Sequence, residues 1–142
     1  MPLSEYTDQA LLNSLFGKTS NFGALATAPT LFVGLSSTTP NPDGTGVTEP
    51  VGNGYARVST PAATWGAASL ANPSAITNSG AVIAFPTATG SWAAGVNMTY
   101  LVFFDAASGG NVIGFGALTT PKPVLSGDTA QFNSSSLTVT MA

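Results

Sequence analysis

Apolar residues along the chain fall first in a helical rhythm and then in short runs of β type. Ala10, Leu11, Leu12, Leu15 and Phe16 follow Ser4, Glu5 and Asp8 and precede Gly17 and Lys18. Leu11 with Leu15 and Leu12 with Phe16 are i,i+4 pairs, so they share a helix face. Ser4 suits an N-cap, the two acids suit the positive end of a helix dipole, and Gly17 can take the left-handed position that closes a helix. The pattern predicts one short helix with an apolar face that must dock on its own domain or on a neighbour.

Past the helix the period changes. Segments rich in β-branched and aromatic residues recur between Gly, Pro, Asn and Asp, which predicts strands near 30–36, 55–60, 81–85, 98–105, 111–118, 130–132 and 136–141. Residues 100–104 are apolar without alternation, as in a strand buried on both faces. Leu137, Val139 and Met141 alternate with Thr138 and Thr140, as on a half-exposed strand at a surface or edge. Between two apolar segments, the run Asp105 to Asn111 offers Gly109 and Gly110 for positive φ, the clearest hairpin signal in the chain.

The expected architecture is all-β: a single-domain, jelly-roll-like antiparallel β-sandwich over 29–142, with long loops at 37–54 and 61–79, preceded by a docking helix over 1–18. Loops of this length in a small domain are usually functional or disordered. These two carry little charge, so they are expected to order against neighbouring subunits.

Composition then narrows the function. The 142 residues include no histidine, no cysteine, three basic and six acidic residues. Most of the side chains used for proton transfer, covalent attack or metal binding are therefore missing, and no cofactor or metal site is expected. Disulfides are impossible, so cysteine usage says nothing about the compartment. Lys18, Arg57 and Lys122 are scattered, whereas nucleic-acid binding needs a clustered basic face. No apolar stretch approaches the roughly 20 residues of a membrane helix, and no signal peptide is expected. Charged residues are 6% of the chain, against about 25% in ordinary soluble domains. Such a surface suits a protein whose exterior is covered by partners, in a homo-oligomer, dimer or trimer, or in a larger assembly.

Candidate chemistry is sparse. Asp43, Asp105 and Asp128 sit beside glycine or at strand ends, where an aspartate commonly makes a turn by bonding nearby backbone. Asp43-Gly-Thr-Gly46 lacks the spaced oxygen ligands of a calcium loop and the Lys-Ser/Thr ending of a phosphate loop. Arg57 is the one cation inside a predicted strand, and a guanidinium there tends to pair with a carboxylate or cap loop carbonyls, with Glu49 the candidate partner. Trp65 and Trp92 could form a platform for a sugar or protein, although aromatics in small β domains are more often core. Trp92, after Gly90-Ser91, is expected nearer the surface. The candidate partner interface is thus Leu11, Leu12, Leu15, Phe16, Trp65 and Trp92, and the candidate structural residues are Arg57, Glu49, Asp105, Gly109 and Gly110.

Several segments taken together are familiar: residues 31–36, LFVGLS; 43–50, DGTGVTEP; 54–58, GYARV; 83–90, IAFPTATG; 104–111, FDAASGGN; and 116–122, GALTTPK, leading to Ser126-Gly-Asp128. In this order they resemble a family of small tailed-bacteriophage virion proteins, known as tail fibre or structural proteins. The resemblance implies that Gly54 to Arg57 and Asp105 to Gly110 define the fold and hold no catalytic site. Where relatives often carry histidine before the buried hairpin strand, this chain has Tyr100.

The expected function is non-enzymatic. The first reading is a capsid cement or decoration protein on the capsid surface, bridging major capsid subunits. The second is a tail or tail-fibre component joined to other virion proteins, against which the absence of extended repeats or a coiled coil weighs. The third is a host-glycan-binding module, which needs an exposed tryptophan platform or two convergent carboxylates.

Overall fold

The helix forms where local signals place it. In the computed structural model, which describes residues 5–18, 30–71 and 73–141, α1 spans Glu5–Leu15. Its C-terminus closes as a Schellman motif: the Lys18 N–H donates to the Asn13 carbonyl at 2.7 Å and the Gly17 N–H to Ser14 at 3.3 Å, with Gly17 at φ 70°. Ser4, the expected cap, lies outside the described residues. No helix among the described residues is long and apolar enough to cross a membrane.

The remaining elements are strands and short 3₁₀ turns. In chain order the strands are β1 (Leu31–Ser36), β2 (Val58–Thr60), β3 (Ala75–Thr77), β4 (Ile83–Ala84), β5 (Met98–Phe104), β6 (Val112–Lys122), β7 (Gln131–Phe132) and β8 (Thr138–Thr140). The fold is mostly β with one short N-terminal helix. Its strands form one four-stranded sheet, ordered β2-β1-β5-β6, and two two-stranded sheets, β3-β8 and β4-β7. This pairing does not describe the closed sandwich or jelly roll expected from the strand count. Several expected strands shrink to two or three residues because Pro, Gly and Asn interrupt the ladder on either side. One strand was not expected at all: β3 lies inside the 61–79 stretch and has a single large apolar residue, Ile76, too little for a periodic signal.

The described residues cluster into two compact units. The first draws on the chain up to Thr30, Thr60–Ile83 and Phe132 onward. Here α1, β3 and β8 surround a core of Leu12, Phe16, Trp65, Ala68 and Ile76, with Phe16 edge-on to Trp65 at 4.4 Å between ring centroids. β3 and β8 run antiparallel with Ile76 opposite Val139. Two buried amides bracket this unit. The Asn13 Oδ1 accepts from the Ala68 N–H at 2.9 Å while the Gln9 Nε2 donates to the Ala68 carbonyl at 3.0 Å. Asn78, fully buried, donates from Nδ2 to the carbonyls of Ala81 and Asn133 and accepts the Leu137 N–H at Oδ1. Each amide thereby replaces backbone pairing that the irregular chain cannot make for itself.

The second unit, Leu31–Ser59 and Ala84–Gln131, holds the longer sheet. β1 and β5 pair antiparallel from Phe32 opposite Phe104 to Ser36 opposite Tyr100, and β5 pairs with β6 from Phe104 opposite Val112 to Met98 opposite Lys122. Leu101 to Phe104 are all buried, as expected of a strand covered on both faces.

Candidate functional site

The most heavily bonded side chains in the second unit surround Arg57. Its side chain is 8% exposed and its guanidinium faces the Glu49 carboxylate, with Nη2 at 2.6 Å from Oε2 and Nε at 3.0 Å from Oε1. Nη1 donates at 2.8 Å to the carbonyls of both Ala106 and Gly109, inside the 105–111 turn. The guanidinium plane also lies over the Phe104 ring, 3.3 Å from its centroid, a close cation–π contact. On the far side of Glu49, the Tyr55 hydroxyl donates to Oε1 at 2.6 Å and accepts the Leu35 N–H at 3.1 Å. Burial, reinforced by the bond to Glu49, raises the Tyr55 phenol well above its ordinary value, so it stays a neutral donor.

The cluster ties four segments together: the end of the 37–54 loop through Glu49, β1 through Leu35, β5 through Phe104, and the hairpin turn through two carbonyls. Gly34 makes room for it. A Cβ at that position would lie 2.8 Å from Glu49 Oε1 and 2.9 Å from both the Tyr55 hydroxyl and Phe104 Cε2. Sequence reasoning missed Gly34, because a glycine in a strand signals only that something comes close, not what.

The hairpin turn is held from its other side by Asp105, whose Oδ1 accepts the Asn111 N–H at 2.7 Å and whose Oδ2 accepts from Asn111 Nδ2 at 2.8 Å. These bonds hold the Asp105 carboxyl below its ordinary value. Gly109 and Gly110 take positive φ, 61° and 72°, and a Cβ on Gly110 would collide with Asp105 Oδ1. Asp43 and Asp128 behave alike, accepting the N–H groups of Thr45 and Leu125 at 2.9 Å. Arg57 and Glu49 are engaged with each other and with the chain, which suits a clamp that fixes loops and not a reactive pair.

The candidate interface residues fall in different settings. Leu11 is exposed and Leu15 half-buried, whereas Leu12, Phe16 and Trp65 belong to the core of the first unit. Trp92, expected nearer the surface, is fully buried. Its indole N–H donates to the Asn53 carbonyl at 3.0 Å, and its ring meets Tyr55 and Phe85 edge-on at 5.1 and 6.0 Å. The polar Gly90-Ser91 flank misled because the chain turns inward directly after it: Ala93, Ala94 and Gly95 all adopt positive φ. Both tryptophans are core, so a sugar platform built on them is ruled out as they stand. Among the described residues no group of three His, Cys, Asp or Glu could hold a metal ion.

The long loops order on their own units. In 37–54, Thr38 Oγ1 donates to the Gly46 carbonyl and lies 2.8 Å from Thr48 Oγ1, and the Ser36 hydroxyl accepts the Thr38 and Thr48 N–H groups. In 61–79, Trp65, Ala68, Ser74, Ile76 and Asn78 are buried.

A family model described as Podophage GP4 fiber I protein gp80 matches residues 2–140. No curated protein matches the chain. Of the two virion roles expected, this match supports the fibre over capsid cement. The lack of repeats or a coiled coil misled, since this chain has neither and still matches a fibre family. A match across almost the whole chain shows that the protein belongs to this family, as a non-enzymatic structural component of the virion fiber.

Proposed function

We propose that the chain is a structural module of a phage tail fibre, joined to neighbouring virion proteins, copies of itself among them. The observation that carries this reading is the family match over 2–140. The geometry agrees with it. The Arg57–Glu49 ion pair is spent on fixing loops, and the chain has few charged side chains with which to organise a reaction. A module of this kind acts by holding shape and by repeated contact, where many weak contacts add through avidity.

Imaging of purified virions with the gene intact and with it deleted tests the reading. Loss of density from the fibre, with heads that retain DNA on heating, is the expected result. Intact fibres with density missing over the capsid shell would overturn it and restore the cement role.

A further inference from the structure

We infer that Asn53, followed by Gly54, is a site of spontaneous deamidation that the folded chain holds shut, and that its modification unlocks the turn on which Trp92 is seated.

The pair is the one Asn-Gly dipeptide in the sequence. Asparagine before glycine is labile, because glycine has no side chain to shield the nitrogen that follows the asparagine. That nitrogen, once its proton has passed to hydroxide, bonds to the asparagine Cγ. The Cγ–Nδ2 bond breaks, and Nδ2 takes a proton from water and leaves as ammonia. One water then opens the succinimide ring at either carbonyl, giving aspartate or isoaspartate. Both residues are exposed, so water reaches them.

The turn itself calls for this labile pair. The Tyr55 N–H donates to the Gly52 carbonyl at 3.0 Å, and Asn53 and Gly54 have φ of 52° and 79°, as in a type I′ turn. Asparagine and glycine take such angles at least cost. A Cβ on Gly54 would also lie 3.1 Å from the Thr87 carbonyl oxygen. At position 53 a second glycine could not replace the side chain, whose Nδ2 donates to the Ser91 carbonyl at 2.8 Å.

The same contacts hold the reaction off. In a type I′ turn the nitrogen of the second central residue points away from the side chain of the first, so ring closure requires the peptide between them to rotate. The carbonyl of that peptide, on Asn53, accepts the Thr89 N–H and the Trp92 indole N–H, each at 3.0 Å. The side-chain amide lies flat on Gly90, where a Cβ would come 2.7 Å from Oδ1 and 2.8 Å from Cγ. Reaction therefore passes through a local opening, and its rate follows the population of the open form. Afterwards the turn cannot close as before. Aspartate sets a carboxylate oxygen against the Ser91 carbonyl where the amide donated, and isoaspartate routes the backbone through an extra methylene and displaces the carbonyl that the indole bonds.

Incubation of the full chain at mildly alkaline pH, below its melting transition, with each asparagine read by peptide mass spectrometry, tests the proposal. Asn53 is expected to deamidate at least about tenfold faster in urea than in buffer. Gly90→Ala, whose methyl pushes the amide off its seat, should raise the rate at Asn53 in buffer about fivefold or more relative to Asn133. Trp92→Phe, which keeps a ring but lacks the indole donor, should act in the same direction and serves where circular dichroism shows the Gly90 variant unfolded. The deamidated fraction, separated by its added negative charge, should melt at a lower temperature than the unmodified chain, and so should Asn53→Asp. Equal rates at Asn53 in urea and buffer, no reaction there in urea, an unchanged ratio of Asn53 to Asn133 in the folded variants, or an unshifted melting temperature of the deamidated fraction would each overturn the proposal.

Discussion

β5 and β6 are the two arms of one hairpin and neighbours in one sheet, yet they live in opposite environments. Along β5, Leu101 to Phe104 are buried in succession; along β6 almost every residue is exposed or half-exposed. β5 lies inside the sheet with β1 on its other side, while among the described residues β6 has a partner on one side only. The unbroken apolar run of β5 predicted its burial on both faces, whereas nothing in β6, uncharged until Lys122, marked it as an edge. Apolarity in a strand thus goes with two settings: burial within the subunit in β5, and exposure in β6.

The contrast breaks first at Phe104. Phe104→Ala removes a buried ring from β5 together with the platform under Arg57, and should cost about 3–5 kcal/mol in urea unfolding. The matched change in β6, Ile113→Ala, should stay within about 0.5 kcal/mol for the isolated subunit. Equal losses would mean that β6 is covered within the subunit.

Next comes the clamp that anchors the β5 end of the hairpin. Arg57→Ala leaves Glu49 without its cation and frees two turn carbonyls, an expected loss of about 3 kcal/mol by thermal or urea unfolding. Arg57→Lys should recover little, because an ammonium cannot reach the carboxylate and both carbonyls at once. Full recovery by lysine would reduce the site to a simple charge pair.

A pair of glycine substitutions sharpens the comparison further. Gly34→Ala in β1 pushes a methyl into Glu49, Tyr55 and Phe104 and should cost about 1–3 kcal/mol. Gly116→Ala in β6 meets open space and should leave subunit stability within about 0.5 kcal/mol. Reversal of this order would show that the room beside Gly34 is slack.

The smallest expected effect concerns pH. The Asn111 side chain and then its backbone hold the Asp105 carboxyl below its ordinary value of 3.8. A lowered folded-state value means that the turn's stabilisation is fully present above 3.8 and fades as pH falls through the folded value. Amide chemical shifts of residues 105–111 should therefore hold steady from neutrality to about pH 4 and move only below it. Asp105→Asn should abolish that movement; its persistence would assign the titration to another group.

Local chemistry was legible in the chain. The α1 stop was readable because Gly17 acts through its own φ and its nearest carbonyls, and the Asp105 turn because the bonds of Asp105 itself reach only to Asn111, six residues on. Glu49 could be named as a partner for Arg57 because few charges exist to choose from. Asn13 was not legible as a bracket, since it looks like any polar residue on a helix and its partner Ala68 is 55 residues away. Trp92 was misplaced because its polar flanks describe the turn before it and not the cavity that receives the ring. Composition likewise showed a chain poor in charge without showing where in the virion it sits.

The sequence by itself determined the period of each segment, the turns, the absence of reactive side chains and the near absence of charge, all properties of neighbouring residues or of simple counts. Only the tertiary structure decided that Gly34 must be glycine while Gly114 and Gly116 meet open space, and that β6 ends its sheet. Burial depends on what a distant part of the chain brings alongside, and no local pattern carries that information.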